Sequence, residues 1–184
     1  PHEVVGRLVT EANRRWERII ANHAGGWEKL QSELSWSRRD VINLAAIVEK
    51  EAAVADERPI IASVFLNRLA DPAFPKLQSD PTAMYGCRAM PAAIPACTDW
   101  NGKASGAINR DPANVFSTYV TRGLPPGPIA NPGEAAVVAV LEPAETTYRF
   151  FVAKGEGRHT FSDTLAEHNE AIDERRRATS PDPP

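Results

Sequence analysis

The stretch LAAIVEKEAAVADERPIIASVFLNRL, from Leu44 to Leu69, holds two runs of apolar residues at helical spacing, separated by a polar break and Pro59. Proline is tolerated in the first turn of a helix, where its missing N–H has no partner to lose, so Pro59 opens the second run instead of interrupting the first. Upstream, Ser37 stands three residues before Asp40, the capping-box spacing in which each side chain serves a free N–H of the first turn. One helix is therefore expected from Ser37 to about Val54, and a second from Pro59 to just before Asp71 and Pro72.

The first of these helices carries a residue out of place. At about 100° per residue, with Leu44 as origin, Val48 falls at about 40°, Ile47 at about 300° and Glu51 at about 340°. Glu51 thus projects from the centre of the apolar stripe, while Glu49, at about 140°, faces away. Desolvation disfavours an ionised carboxylate and raises its pKa, which yields a neutral proton donor, the requirement for a general acid. The same placement also fits a carboxylate paired with a buried arginine such as Arg68, or a wet side chain at a frayed helix end.

Working outward, Val4, Val5, Leu8, Ala12, Trp16, Ile19 and Ile20 mark an amino-terminal helix, with Gly25 and Gly26 read as its stop and a short ambiguous segment from Trp27 to Ser35. From Asp71 to Pro132 the chain is dense in proline and glycine and lacks periodicity, the texture of a functional surface. Helix returns from Gly133 to Leu141, with Asn131 as the expected cap. Tyr148 to Ala153 and Arg158 to Ser162, either side of GEG at 155–157, read as a β-hairpin. A last helix is expected from about Asp163 to Arg177. The reading is one domain over residues 1–177 and a disordered tail over 178–184.

Composition narrows the function classes. The chain has 184 residues, 42% of them apolar, a formal charge of -3 and no basic block, so it is globular and offers no footprint for a nucleic-acid backbone. Its longest apolar run, Ala135 to Leu141, is far short of a membrane span. Cys87 and Cys97 are too few for a structural zinc site and leave a disulfide or two inert thiols; a disulfide is carried forward, pinning a loop away from the catalytic centre and implying an oxidising compartment. His159 and His168, nine apart across a strand-to-helix junction, lack the spacing of a metal site, so neither metal nor cofactor is expected.

The Leu44 to Leu69 block resembles the signature helix pair of the YceG-like (MltG-type) endolytic murein transglycosylases. LQSDPTAMYG at 77–86, STYVTRGLPPGPIANPG at 117–133 and EPAETTYRFFVAKGEGRHTFSDTLAEHN at 142–169 follow in the same order, so the likeness runs from about Asn43 to Asn169. It implies that Glu51, the second glutamate of IVEKE, is the catalytic acid. Gln78, Asp80, Ser117, Tyr119 and His159 would contact substrate, with the Gly123 to Pro128 turn as a rigid cleft wall. Where the family usually has Tyr-Asn-Thr-Tyr, this chain reads Phe116, Ser117, Thr118, Tyr119, a hydroxyl in place of an amide.

The implied activity is cleavage of MurNAc–GlcNAc bonds within peptidoglycan strands to 1,6-anhydro ends. Glu51 would protonate the bridging oxygen and then take the proton of the sugar's own 6-hydroxyl. A glycan-binding module without catalysis, or a hydrolase that uses water, are the alternatives. The resemblance further implies penicillin-binding peptidoglycan synthases as partners and an extracytoplasmic location. It implies an anchoring transmembrane helix outside these residues, which themselves make no membrane contact. The fold implied is mainly-α α+β, with a lysozyme-like helical core by analogy, a small hairpin and a long proline-rich segment along the cleft.

Overall fold

The structure, a computed structural model, describes residues 2–179. Helices α1 (His2–Asn22), α2 (Ala24–Leu34), α3 (Arg38–Glu51) and α4 (Arg58–Ala70) come first. Then follow α5 (Asp80–Ala89), α6 (Gly106–Arg110), α7 (Glu134–Leu141), strands β1 (Phe150–Gly155) and β2 (Arg158–Ser162), and α8 (Leu165–Thr179). The strands form one antiparallel hairpin in which Phe151 pairs with Phe161 and Ala153 with His159. This is the mainly-α α+β architecture that the sequence pattern indicates.

The centre of the fold is α3. Its capping box forms, the Ser37 N–H donating to the Asp40 carboxylate at 2.8 Å. Between Val41 and Val48 every residue except Ile42 is buried, because α4 and α7 pack against it from different sides. The helix emerges from this packing at both ends, and its carboxyl end carries Glu51. There the helix stops at Glu51, three residues earlier than the periodicity suggests, as Ala52 turns to extended backbone (φ -82°, ψ 105°).

The structure corrects several boundaries. Gly25 and Gly26 do not stop a helix: α2 runs through both, and a Cβ on Gly26 would overlap the Leu141 carbonyl, so glycine serves close approach to α7. α7 is capped by Gly133, not Asn131, and the Gly133 N–H donates to Glu49 Oε2 at 3.4 Å. α8 starts at Leu165 and continues through Ala178 and Thr179, two residues into the expected tail; residues 180–184 lie outside the described ones.

The 71–132 segment contains α5, α6 and two short 3-10 turns instead of a single long connection. Periodicity missed these because they pack on a separate small core of Ala83, Cys87, Ile94, Cys97 and Ile108. Cys87 and Cys97 are joined there, with Cα atoms 5.3 Å apart. The GLPPGP turn is held elsewhere: Asn43 Nδ2 and Arg39 Nη2 donate to the Pro125 and Pro126 carbonyls at 2.7 and 2.8 Å, fastening it to the amino-terminal half of α3. It is not among the residues that line the cleft, which corrects its expected role as a wall.

Candidate active site

The open end of α3 faces a cleft of about 620 Å³ lined by Glu51, Arg68, Gln78, Asp80, Tyr119 and the hairpin and α8 residues opposite. Glu51 is therefore presented by a helix packed into the core from Asn43 to Val48, a rigid mount for a reacting group. Burial pushes its carboxyl up to about 7; the Ser79 hydroxyl, donating to Oε1 at 2.6 Å, pulls it down, and the negative charge of Asp80 pushes it up again. Its place at a helix carboxyl terminus, the negative end of the dipole, acts in the same direction as burial. Near neutrality such a carboxyl can both give and take a proton.

Arg68 is not its partner. The buried guanidinium donates to the carbonyls of Lys76 and Arg149 and to Gln78 Oε1 at 2.7 Å, and its face covers the rings of Phe74 and Phe150. Arg68 thus does not offset the burial of Glu51, which is what holds its proton.

Ser79 itself is fixed by a buried hydroxyl cluster. Its N–H donates to Thr118 Oγ1 at 3.0 Å, its carbonyl accepts from Thr82 Oγ1 at 2.6 Å, and the Thr118 N–H donates to Thr82 Oγ1 at 3.1 Å. Thr82 and Thr118 have no exposed surface. Just before it, Gln78 has a left-handed backbone (φ 58°), rare for a residue with a side chain and held here by its N–H to the Thr118 carbonyl at 3.1 Å.

Asp80 opens α5 as its first residue. Its Oδ1 accepts from Tyr119 Oη and Asn109 Nδ2, both at 2.8 Å. Burial, with the Asp80 carboxylate second, raises the Tyr119 phenol well above its usual range, so it stays a donor. Ser117, by contrast, is wholly buried and its hydroxyl donates to the Asn109 carbonyl at 2.5 Å. The substitution of hydroxyl for amide thus falls on a residue that braces Asn109, and the structure does not bring Ser117 to the cleft surface.

His159 borders the cleft from β2, and its Nδ1 lies 2.7 Å from Glu57 Oε2. Burial lowers the His168 imidazole, which also lines the cleft and stacks on Phe150 with centroids 5.2 Å apart. Among the described residues no three His, Cys, Asp or Glu side chains converge as a metal site would require. Of the polar residues that matter here, sequence reasoning missed Ser79, Thr118, Asn109 and Glu57. Ser79, between Gln78 and Asp80, was the one with a signal, being flanked by two candidates.

Comparisons with known proteins identify relatives of the chain. The model of the YceG-like family matches residues 1–174. An endolytic murein transglycosylase of Bacillus subtilis (strain 168) is 35% identical over 150 residues, covering 78% of this chain and 37% of that protein. One of Streptococcus pneumoniae serotype 2 (strain D39 / NCTC 7466) is 28% identical over 136 residues, covering 73% of this chain and 23% of the other. The crystal structure of a yceG-like protein, lmo1499, from Listeria monocytogenes superposes with a TM-score of 0.64 at 33% identity, covering 89% of this chain and 48% of that one. The chain spans well under half the length of the curated relatives it matches.

Proposed function

The chain belongs to the YceG-like family, and on that premise we propose that it is the catalytic unit, residues 1–177, of an endolytic peptidoglycan lytic transglycosylase. The observation that carries this reading is Glu51: a carboxyl raised by burial to about 7 at the carboxyl end of α3, where it lines a cleft of about 620 Å³.

In this mechanism Glu51 gives its proton to the oxygen between MurNAc and GlcNAc as the bond to C1 breaks. The resulting carboxylate faces the positive charge on C1 and then takes the proton of the MurNAc 6-hydroxyl as O6 closes on C1. One carboxyl serves both steps, and the product is a 1,6-anhydro ring. Gln78, Asp80 and Tyr119 hold the sugar on one side of Glu51 and His159 on the other. The substrate places this chemistry outside the cytoplasm, beside the peptidoglycan synthases whose strands it would cut; the described residues include no helix long and apolar enough to cross a membrane.

Asp80 supports a second reading, because a second carboxylate near enough to raise Glu51 could instead activate a water and give reducing ends. Mass spectrometry of the products from isolated sacculi separates the two. Anhydro-muropeptides, lighter by one water, are expected; reducing ends would convert the reading to a hydrolase. Protein that sediments with sacculi and releases nothing would be a binding module.

A further inference from the structure

A second cavity of about 520 Å³ lies on the other side of Glu51, between the hairpin tip and the last turns of α8. The two cavities share only Glu51, Ala153, His159 and Arg175, so they meet at a waist. A strand threaded through both would have its cleaved bond at that waist, where Glu51 is. His159 borders the same point, and its ring is held by a side chain that the activity has not so far required.

That side chain is Glu57. It closes the 3-10 turn between α3 and α4 and is 4% exposed, an expensive place for a carboxylate. Its Oε1 accepts the backbone N–H of His159 at 3.1 Å and its Oε2 lies 2.7 Å from His159 Nδ1. Arg158 stands 3.9 Å from Glu57 Oε1 and binds Asp56 at 3.0 Å, which closes the outer side. Phe151 packs edge-on against the imidazole with centroids 5.2 Å apart, so ring position and tilt are both determined. In the neutral ring, a carboxylate that accepts from Nδ1–H selects the Nδ1–H tautomer and leaves a lone pair on Nε2. Nε2 has no partner among the described residues and is not one of the enclosed polar atoms without a hydrogen bond, so it opens on the waist.

We propose that Glu57 and His159 form a dyad in which Glu57 is a positioning residue and His159 Nε2 accepts a hydrogen bond from a hydroxyl of the sugar next to the cleaved bond. The ligand class is a pyranoside hydroxyl, and in the reaction the bond would hold that sugar against Glu51. The placement at the cleaved bond rests on the glycan-cleaving reading; the tautomer and the hydroxyl contact rest on the geometry alone.

Two measurements on the whole chain test it. In ¹⁵N NMR of the wild-type protein, the neutral His159 ring is expected to carry its proton on Nδ1, and titration with N-acetylglucosamine tetramer to shift Nε2 while leaving Nδ1 bound to Glu57. An Nε2–H tautomer, a doubly protonated ring at the assay pH, or an Nε2 signal unmoved at saturation overturns the proposal. On sacculi, His159→Ala is expected to lose about tenfold in kcat/KM, with partial rescue by added imidazole, and Glu57→Gln to lose less. Because Glu57 acts through the ring, Glu57→Gln added to His159→Ala should cost nothing more. Additive losses, or full activity in His159→Ala, would show that Glu57 and His159 are only structural. Should wild type release no anhydro ends while the Nε2 shift is present, the lytic reading fails and the dyad stands.

Discussion

The two sides of the cleft are built in different ways. Behind Gln78, Ser79, Asp80 and Tyr119 stand Thr82, Asn114, Ser117 and Thr118, all without exposed surface and tied together through side-chain hydrogen bonds to backbone. Opposite, the hairpin buries only its open end, the paired Phe150 and Ser162, and α8 buries nothing. Enclosed hydrogen bonds are costly to break, so the first wall holds the acid and its neighbours in one geometry, while the second opens locally at lower free energy. Glu51, Ser79 and Asp80 thus stand on the stiffer wall, and on the hairpin wall it is His159 that is held, through Glu57.

The comparison is broken most completely at Glu51. Glu51→Gln keeps the shape of the protonated acid but can neither give nor take the proton, and the expected loss of anhydro-muropeptide release is about 10² to 10⁴ or more. Stability should move the other way. With the folded pKa raised from 4.5 to about 7, the native state binds the proton more tightly than the unfolded chain, so native stability falls as pH rises from about 4.5 to about 7. Glu51→Gln removes that penalty, worth at most about 3 kcal/mol above pH 7 and nothing below pH 4. Melting curves at pH 4 and pH 8 check it; a variant destabilised at pH 8 would mean that Glu51 is not desolvated.

The rigid wall is sharpened by the two neighbours that act on Glu51 with opposite sign. A general acid must be protonated, so activity should fall as pH rises through about 7. Ser79 donates to the carboxylate and lowers the value, so Ser79→Ala should carry the alkaline limb to higher pH. Asp80 raises it, so Asp80→Asn should carry the limb to lower pH. Each shift is expected at about half a unit to one unit. Limbs that move together would show that the variants act through the fold rather than through charge on Glu51.

Glu51 was legible in the sequence because a single helix determines its direction: the phase that buries Leu44, Ile47 and Val48 also aims Glu51. The hairpin and the α3–α4 pair were legible for the same reason. The hydroxyl cluster was not, since Ser79, Thr82 and Thr118 meet only when the 77–82 strip and the 117–119 turn are folded together, across more than thirty-five residues of chain. Glu57 stayed hidden because its partner is 102 positions away and the polar run ADER reads as an ordinary surface break. Gly26 misled because glycine signals both helix ends and close approach, and only the Leu141 carbonyl distinguishes them. Ser117 was placed in the cleft by resemblance to a motif, yet it opens a turn, its carbonyl accepting the Val120 N–H, and its hydroxyl is taken up by the Asn109 carbonyl.

The disulfide tests how far the rigid wall extends. Cys87 and Cys97 belong to the small core that carries α5 and α6, and from these helices Asp80 and Asn109 reach each other. In the chain-entropy account, closing a loop of this length stabilises by roughly 3 kcal/mol, so Cys87→Ser with Cys97→Ser should lower the free energy of unfolding by about that amount. Activity of the folded double variant should stay within about threefold of wild type, because Asp80 retains Tyr119 and Asn109. A loss of activity well beyond threefold at a temperature where the variant is folded would make the small core part of the catalytic mount.

The smallest effect is expected at Glu49, two residues from Glu51 on the same helix. The two glutamates share a helix and nearly a depth, and differ only in the direction that the helical phase gives them. Glu49 accepts from the Gly133 N–H at the amino terminus of α7, where a carboxylate is favoured by the free N–H groups of the first turn. Glu49→Gln keeps an acceptor oxygen and loses only the charge, at a cost of about 0.3 to 1 kcal/mol in stability. Its anhydro-muropeptide release should be within about twofold of wild type, since no atom of Glu49 borders the cleft. Measured beside Glu51→Gln under one set of conditions, it separates aim from composition. If Glu49→Gln lost activity to the same degree with its fold intact, the proton would be reaching substrate by a route involving both carboxylates, and the assignment of both catalytic steps to Glu51 alone would fall.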